Sequence, residues 1–302
     1  MNTAPVVIFV YNRPTHFLQI VEALAANNLA PETDLIVISD GAKKPADEDK
    51  VREIRAAALN IKGFRSVDLI AREKNYGLAA SIIDGVTRIV NEYGRIIVLE
   101  DDHITSPWFL RYMNDALELY ETEERVISIH GYIYPVKEKL PETFFMRGAD
   151  CWGWATWKRG WDLFEKDGEK LLNRLQSENL THEFDYLGAA NNVRMLKRQI
   201  AGKNNSWAIR WHASAFLNNK LTLYPGTTLI TNIGADGSGE NTKETDQLYS
   251  PVTQERINVG GIPVEASASA FNAVKNFFLN FGENKGVVAF RKLKYLVKNL
   301  FR

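Results

Sequence analysis

The sequence contains one cysteine, Cys151. That excludes an internal disulfide and any multi-cysteine metal site, and a reducing, cytoplasmic compartment fits best. No apolar run approaches the roughly 18–20 residues that a bilayer span requires; the densest, Val6 to Tyr11, is short. The N-terminus lacks the basic segment and apolar stretch of a secretory signal. Net charge is missing as well. The 37 basic side chains balance 37 acidic ones, which argues against a protein that coats nucleic acid. Nor are there glycine loops to cradle phosphate: no G-x-G-x-x-G follows the first apolar run, and no G-x-x-x-x-G-K-[ST] occurs. Dehydrogenases and P-loop enzymes are thereby disfavoured. A phosphate bound here would need a metal and an arginine to neutralise it.

What is present suits a large folded domain. The chain has 302 residues, is 45% hydrophobic, and scatters its 20 Gly and 10 Pro, so neither disorder nor a fibrous repeat is indicated. The first hundred residues alternate. Apolar β-type runs lie at Val6–Val10, 35–39, Ser66–Ala71 and 96–99, with helical spacing at 14–26, 47–59 and 77–92 between them. This alternation predicts an α/β fold with a doubly wound, mainly parallel sheet. Ligands in such sheets bind beyond the carboxyl ends of the strands. The second half reads as more irregular. Ser106-Pro107 predicts a helix start continuing to about residue 121. Strands are expected at Val126–His130, Thr143–Arg147, 221–224 and 228–231, with helices at 171–183, 186–201 and from 265 to the end.

The strand ends carry the candidate chemistry. Glu100-Asp101-Asp102 follows four β-formers, and three successive carboxylates are costly to hold together without a cation. Mg²⁺ or Mn²⁺ favours one or two carboxylates plus phosphate oxygens, so this motif reads as a metal bridge to a diphosphate or as an acidic surface turn. Arg13, after the first strand, is either a phosphate clamp or a surface arginine beside a helix start. Asp40 is either a base or ribose acceptor or half of an ordinary Asp-Gly turn. Asn75-Tyr76-Gly77 could be no more than the opening of a helix.

The runs VVIFVYNRP, VISDG, NYGLAASIIDGV and IIVLEDDHITSPWFLRYM, in this order, resemble the nucleotide-sugar half of a GT-A fold glycosyltransferase of the bacterial family 2 type. The Glu-Asp-Asp motif is also similar to that of the N-acetylglucosaminyltransferase that initiates complex N-glycans. The resemblance runs from Val6 to about Met113, continues through GWATWKRGW, and fades after Asn241. It implies an inverting hexosyltransferase acting on a nucleotide diphosphate sugar, UDP-linked by preference, with Mn²⁺ or Mg²⁺ as cofactor. Asp102 would be the metal ligand, and Glu100 and Asp101 would face the ribose and donor sugar. Asp40 would bind the base, with Asn75 and Gly77 nearby, and Arg13 would contact the diphosphate. Residues 1–102 would form the donor half, 103–264 the acceptor half of the same domain, and 265–302 a helical basic tail.

The catalytic base departs from the pattern. The acid expected in the Trp-rich segment SWAIRW falls on Ala208, and no carboxylate lies between Gly202 and Trp211. Asp150, just before the aromatic stretch, is the favoured substitute, and Asp236 in the loop GADGSGEN is the other. Trp152, Trp154, Trp157 and Trp161 read either as a sugar platform or as core. The alternatives to a transferase are a nucleotidyltransferase making a nucleotide-sugar, disfavoured by the short glycine-free segment after the first strand, and a non-catalytic nucleotide-sugar-binding module.

The C-terminal stretch 285–302 has six basic residues and no acid, leaving the rest of the chain mildly acidic. Phe290, Leu293, Leu296, Val297, Leu300 and Phe301 share one helical face. Such a helix suits an anionic membrane surface, where it would bring the enzyme to a surface-glycan or lipid-linked acceptor. The expected location is therefore cytoplasmic, peripheral to the inner face of the cytoplasmic membrane.

Overall fold

The computed structural model describes residues 3–234 and 247–281. Five consecutive apolar residues make β1 (Val6–Val10), buried on both faces as a central parallel strand must be. Pro14 opens α1 (Pro14–Ala25), where a missing backbone N–H leaves no bond unmade. β2 (Asp34–Ser39), α2 (Glu48–Ala58), β3 (Ser66–Ala71), α3 (Leu78–Tyr93) and β4 (Arg95–Glu100) continue the alternation. β1 pairs in parallel with both β2 and β4, and β2 with β3. Gly85 lets α3 lie close on this sheet, because a Cβ there would meet the Phe9 ring at 2.7 Å and Ile38 Cδ1 at 2.6 Å.

The second half contributes β5 (His103–Thr105), α4 (Phe109–Leu119), β6 (Val126–His130), β7 (Thr143–Arg147), β8 (Trp154–Trp157) and α5 (Lys158–Trp161). The helices α6 (Gly168–Ser177), α7 (Thr181–Phe184), α8 (Asn192–Ile200) and α9 (Trp207–Leu217) precede β9 (Leu221–Pro225), β10 (Ile230–Asn232) and α10 (Ala268–Asn280). One eight-stranded sheet runs β3-β2-β1-β4-β8-β6-β9-β7, and β5 and β10 form a separate antiparallel ribbon. β8 is antiparallel to both β4 and β6 and joins the two halves into one sheet. The architecture is the α/β, doubly wound arrangement of a GT-A fold, parallel across its first four strands.

Several local expectations are corrected. The helix after Ser106-Pro107 begins at Phe109; the Ser106 hydroxyl accepts from Trp108 N at 3.2 Å, so the proline lies in the turn before the helix. The helix expected at 171–183 is broken after Ser177, with Asn179 at φ 57°. Residues 186–191 form a turn, with Tyr186 and Leu187 at φ 50° and 57°, and α8 starts only at Asn192. β8 and α9 have no counterpart in the sequence reading. α9 is buried on nearly every side, so it lacks the polar stripe that gives a helix its visible period. Residues 235–246, with Asp236, and the basic stretch 285–302 lie outside the described residues.

Candidate active site

The acidic triplet closes the C-terminal end of β4, the central strand, and turns at once into β5. The turn is tied by Glu100 N, which donates to His103 Nδ1 at 3.1 Å. That bond leaves the ring proton on Nε2, 3.4 Å from Asp102 Oδ1. Burial lowers the His103 pKa to about 4, so the ring is neutral and this contact is not an ion pair. The ribbon partner β10 returns the chain to the same corner. Ile233 N donates to Asp102 O at 2.8 Å, and Gly234 lies against the Asp102 carboxylate and Arg13 Nη1, so that an added Cβ would push one of them aside.

Arg13 is the cation of this corner. It ends the segment after β1, and its Nη2 donates to Asp101 Oδ1 and to Asp102 Oδ2, the latter at 3.0 Å. Its guanidinium is held above the ordinary arginine value: burial acts against the charge, but Asp101 and Asp102 outweigh it. Glu100 is pushed well above the ordinary carboxylate range, by burial first and then by Asp102 and Asp101, with Arg13 opposing. Burial also raises Asp101, again against Arg13. Three buried atoms here have no hydrogen-bond partner: Arg13 Nη1, Asp102 Oδ1 and His103 Nε2. Unpaired buried polar groups are costly and rare, so a corner with three is a place where a ligand would complete the bonding.

The end of β2 is a second, separately built anchor. Asp40 is buried, and its carboxylate accepts from Gly41 N, Tyr76 N and Gly77 N at 2.9, 2.8 and 2.9 Å. Asn75 Nδ2 donates to Gly41 O at 2.8 Å. Gly77 takes φ 74° at the N-cap of α3, a conformation that favours glycine. Gly41 packs directly on the Lys74–Asn75 backbone, leaving no room for a Cβ. Asp40, Asn75 and Gly77 thus form one hydrogen-bonded unit. About three of the four acceptor positions of Asp40 are already used, so it holds the turn and has one position left for a ligand. Arg55 of α2 braces the same end, donating to Arg72 O at 2.8 Å and to Asp40 O at 3.2 Å.

Asp150 lies apart from the triplet, in an open cavity of about 220 Å³. Its Oδ2 accepts from Tyr134 Oη at 3.1 Å and its Oδ1 from Cys151 N at 3.1 Å. Tyr132, Tyr134 and Trp152 line the cavity beside it, and Phe277, Phe278 and Phe281, at the end of α10, supply further rings; Leu248 completes the lining. The two places are neighbours. Trp152 reaches the His103 ring at 6.3 Å between centroids. The Cys151 thiol is pushed well above its ordinary range by burial and then by Asp150, Glu100 and Asp102 together. Of the four tryptophans considered for a sugar platform, Trp154, Trp157 and Trp161 are buried core, and only Trp152 faces the cavity. Ala208 packs with the core cluster around Trp154 and Trp211 and offers no polar group.

Sequence reasoning placed Asn12 at a strand end without a partner and gave no role to Tyr11 or Asp47. Tyr11 Oη and Asn12 Nδ2 donate to the Asp47 carboxylate at 2.7 and 3.0 Å and fix the loop beyond β2. Asp47 is held below its ordinary range by these two bonds, while Tyr11 is raised to about 12 by burial and by Asp47. Gly234, the first residue of the loop GADGSGEN, was not expected to pack on the Asp102 carboxylate; the available signal was the glycine content of that loop.

Among the described residues no three His, Cys, Asp or Glu side chains converge as a complete metal-ligand set. A divalent ion could still be held by one carboxylate with phosphate oxygens and water, and the free Asp102 Oδ1 meets that requirement. The doubly wound sheet thus gathers carboxylates, an arginine and a nearby carboxylate-bearing cavity at the carboxyl ends of its strands, the arrangement of a GT-A fold. The chain belongs to glycosyl transferase family 2, whose model matches residues 6–186. The narrower likeness to the N-acetylglucosaminyltransferase remains a resemblance of the Glu-Asp-Asp motif.

No curated protein matches the chain. Among solved structures, it is similar to a mannosyltransferase from Pyrobaculum calidifontis in complex with GDP-Man and Mn²⁺ (12% identity, 44% of this chain, 36% of that one, TM-score 0.33). It is also similar to S. aureus TarS 1-349 (12% identity, 59% and 49%, TM-score 0.35). A third is glucosyl-3-phosphoglycerate synthase from Mycobacterium tuberculosis with Mg²⁺ and UDP (13% identity, 67% and 80%, TM-score 0.36). The chain thus spans 36% and 49% of the first two relatives. Likeness at this level leaves substrate and acceptor to be argued from the site itself.

Proposed function

We propose that the protein transfers a hexose from a nucleotide diphosphate sugar, with UDP favoured, to a hydroxyl of a surface-glycan or lipid-linked acceptor, inverting the anomeric carbon. The observation that carries this reading is the unsatisfied corner of Arg13 Nη1, Asp102 Oδ1 and His103 Nε2. The first and third are donors suited to diphosphate oxygens, and the second is a bare carboxylate oxygen suited to Mn²⁺ or Mg²⁺. Such an ion, bound through Asp102, would supply Lewis-acid stabilisation of the departing nucleoside diphosphate.

The residues around it divide the remaining work. Arg13 holds Asp101 and Asp102 together and offers Nη1 to the diphosphate. Glu100 and Asp101 shape the pocket under the ribose and donor sugar. Asp40 fixes the 75–77 turn against the base and keeps one acceptor position for it. Asp150 accepts the proton of the attacking acceptor hydroxyl. Its neighbours His130 and His212 have pKa values lowered by burial, so they are not cations that would neutralise it at neutral pH.

Replacing Asp150 with Asn tests the assignment. The variant should keep donor affinity and lose roughly 10²–10⁴-fold in transfer rate, the range expected for a general base. Equal rates in both forms would remove Asp150 from the chemistry. A wild-type protein that binds donor and turns nothing over would instead be a binding module, the reading that Ala208 at the expected base position favours. The acid-free stretch 285–302 is proposed to dock on anionic membrane. Its deletion should release the protein from phosphatidylglycerol vesicles, and equal partitioning of both forms would reject that role. Among the described residues no helix is long and apolar enough to cross a membrane.

A further inference from the structure

We infer that the end of α10 determines acceptor specificity, by stacking Phe277, Phe278 and Phe281 on the apolar face of a single neutral sugar ring whose hydroxyl meets Asp150. The inference rests on the transferase reading and adds the recognition element and the class of acceptor. α10 lies beyond the matched residues 6–186, so it is not part of what the family model describes.

The cavity is chemically uneven. Six aromatic rings line it, and Asp150 is the only charged side chain among its described lining residues. A carboxylate with rings around it suits a pyranose. The C–H face of the sugar lies on aromatic carbon, and its hydroxyl donates to the carboxylate. At about 220 Å³ the space is smaller than the roughly 300–1,000 Å³ of ordinary drug-sized sites, so it suits one ring and not an oligosaccharide chain. Among the described residues no Lys or Arg lines it, and an anionic ring would be set against the Asp150 carboxylate.

The rings are held in position and not merely nearby. Tyr134 lies 5.2 Å from Phe277 and 5.0 Å from Phe278 between centroids, and Phe277 lies 5.4 Å from Phe281. Phe278 also meets Tyr186 at 5.1 Å, which ties it to the turn before α8. Ser267 caps the helix, accepting from Ala270 N, and Ala270 and Val274 anchor its buried face. Phe277 is therefore the ring best changed without unseating α10: it is half-buried and its ring contacts are Tyr134, Phe278 and Phe281, whereas Phe278 also packs against the core cluster.

The test is saturation-transfer NMR on the full chain, irradiating aromatic protons in the presence of methyl glucoside, methyl galactoside, methyl mannoside and methyl N-acetylglucosaminide, each compared with its 6-phosphate. At least one neutral glycoside should receive saturation on its ring C–H protons and its 6-phosphate should not. Phe277→Leu should weaken that glycoside about tenfold, and Phe277→Tyr, which restores a π face, should recover it. Transfer to none of the neutral rings, equal transfer to the phosphates, or an unchanged response in Phe277→Leu would each overturn the inference. UDP-dependent thermal stabilisation is measured on the same samples. Its loss in the wild type would count against the transferase reading, whereas its retention alongside a failed NMR result would count against α10 alone.

Discussion

At the scale of single residues, the site depends on which cation neutralises the acidic triplet. Arg13 does so through a pair of contacts largely shielded from water, with side-chain exposures of 17%, 8% and 12% for Arg13, Asp101 and Asp102. Removing one partner of a buried ion pair leaves the other uncompensated, at a cost of about 3–5 kcal/mol. Arg13→Ala should therefore lower the thermal midpoint by several degrees, and Mn²⁺ should restore more stability to the variant than it adds to the wild type. Equal Mn²⁺ responses in calorimetric scans would show that the ion does not bind at this corner. The positions of the triplet, Arg13 and Asp40 at strand ends were legible in the sequence because each closes or follows an apolar strand run of an α/β sheet. Those contributed from elsewhere were not. Asp47 is about 35 residues from the side chains it fixes, and Gly234 reaches Asp102 only because β10 pairs with β5. Sequence adjacency does not reveal such meetings.

At the scale of elements, the sheet is built from local rules plus a few charged clips. At the start of the β2–β3 pairing, Asp34 accepts from Arg65 Nε at 2.7 Å and from Ser66 Oγ at 2.7 Å. These bonds, with Arg65 first, hold its carboxyl below the ordinary value. A lowered folded-state pKa gives stability that is present above the unfolded value near 3.9 and is lost as pH falls through the folded one. Asp34→Asn should thus cost about 0.5 kcal/mol near pH 7, an amount discounted for solvent screening. The difference should vanish in urea titrations run near pH 2, and a cost independent of pH would assign it to packing. The alternating strands and helices to Glu100 were legible because apolar period and turn residues agree there. The fit weakened where tertiary packing overrides pattern. β8 is four residues with three aromatic or apolar side chains in the core, and α9 is apolar nearly all round. Neither displays a one-sided stripe.

At the scale of the whole molecule, one sheet carries two differently made sites. Its parallel half ends in the polar corner of Arg13, Asp101 and Asp102, and its mixed half supports the aromatic cavity of Asp150. Trp152 and Cys151 lie between them. The polar corner is built largely from strand ends, so its position was readable from the sequence. The cavity is assembled from the segment after β6, the 150–152 turn and, more than a hundred residues further on, the end of α10, and only Asp150 and Trp152 were anticipated there.

The measurement that bears most directly on the account is a thermal-shift titration of UDP and GDP with and without Mn²⁺, on wild type and Asp102→Asn. A ligand at about 100 times its dissociation constant adds roughly 2.7 kcal/mol. The account predicts a shift of several degrees in the wild type that needs both one nucleotide diphosphate and the ion, and that disappears in Asp102→Asn. A wild type unmoved by either nucleotide, or a variant that keeps the full Mn²⁺-dependent shift, would contradict it.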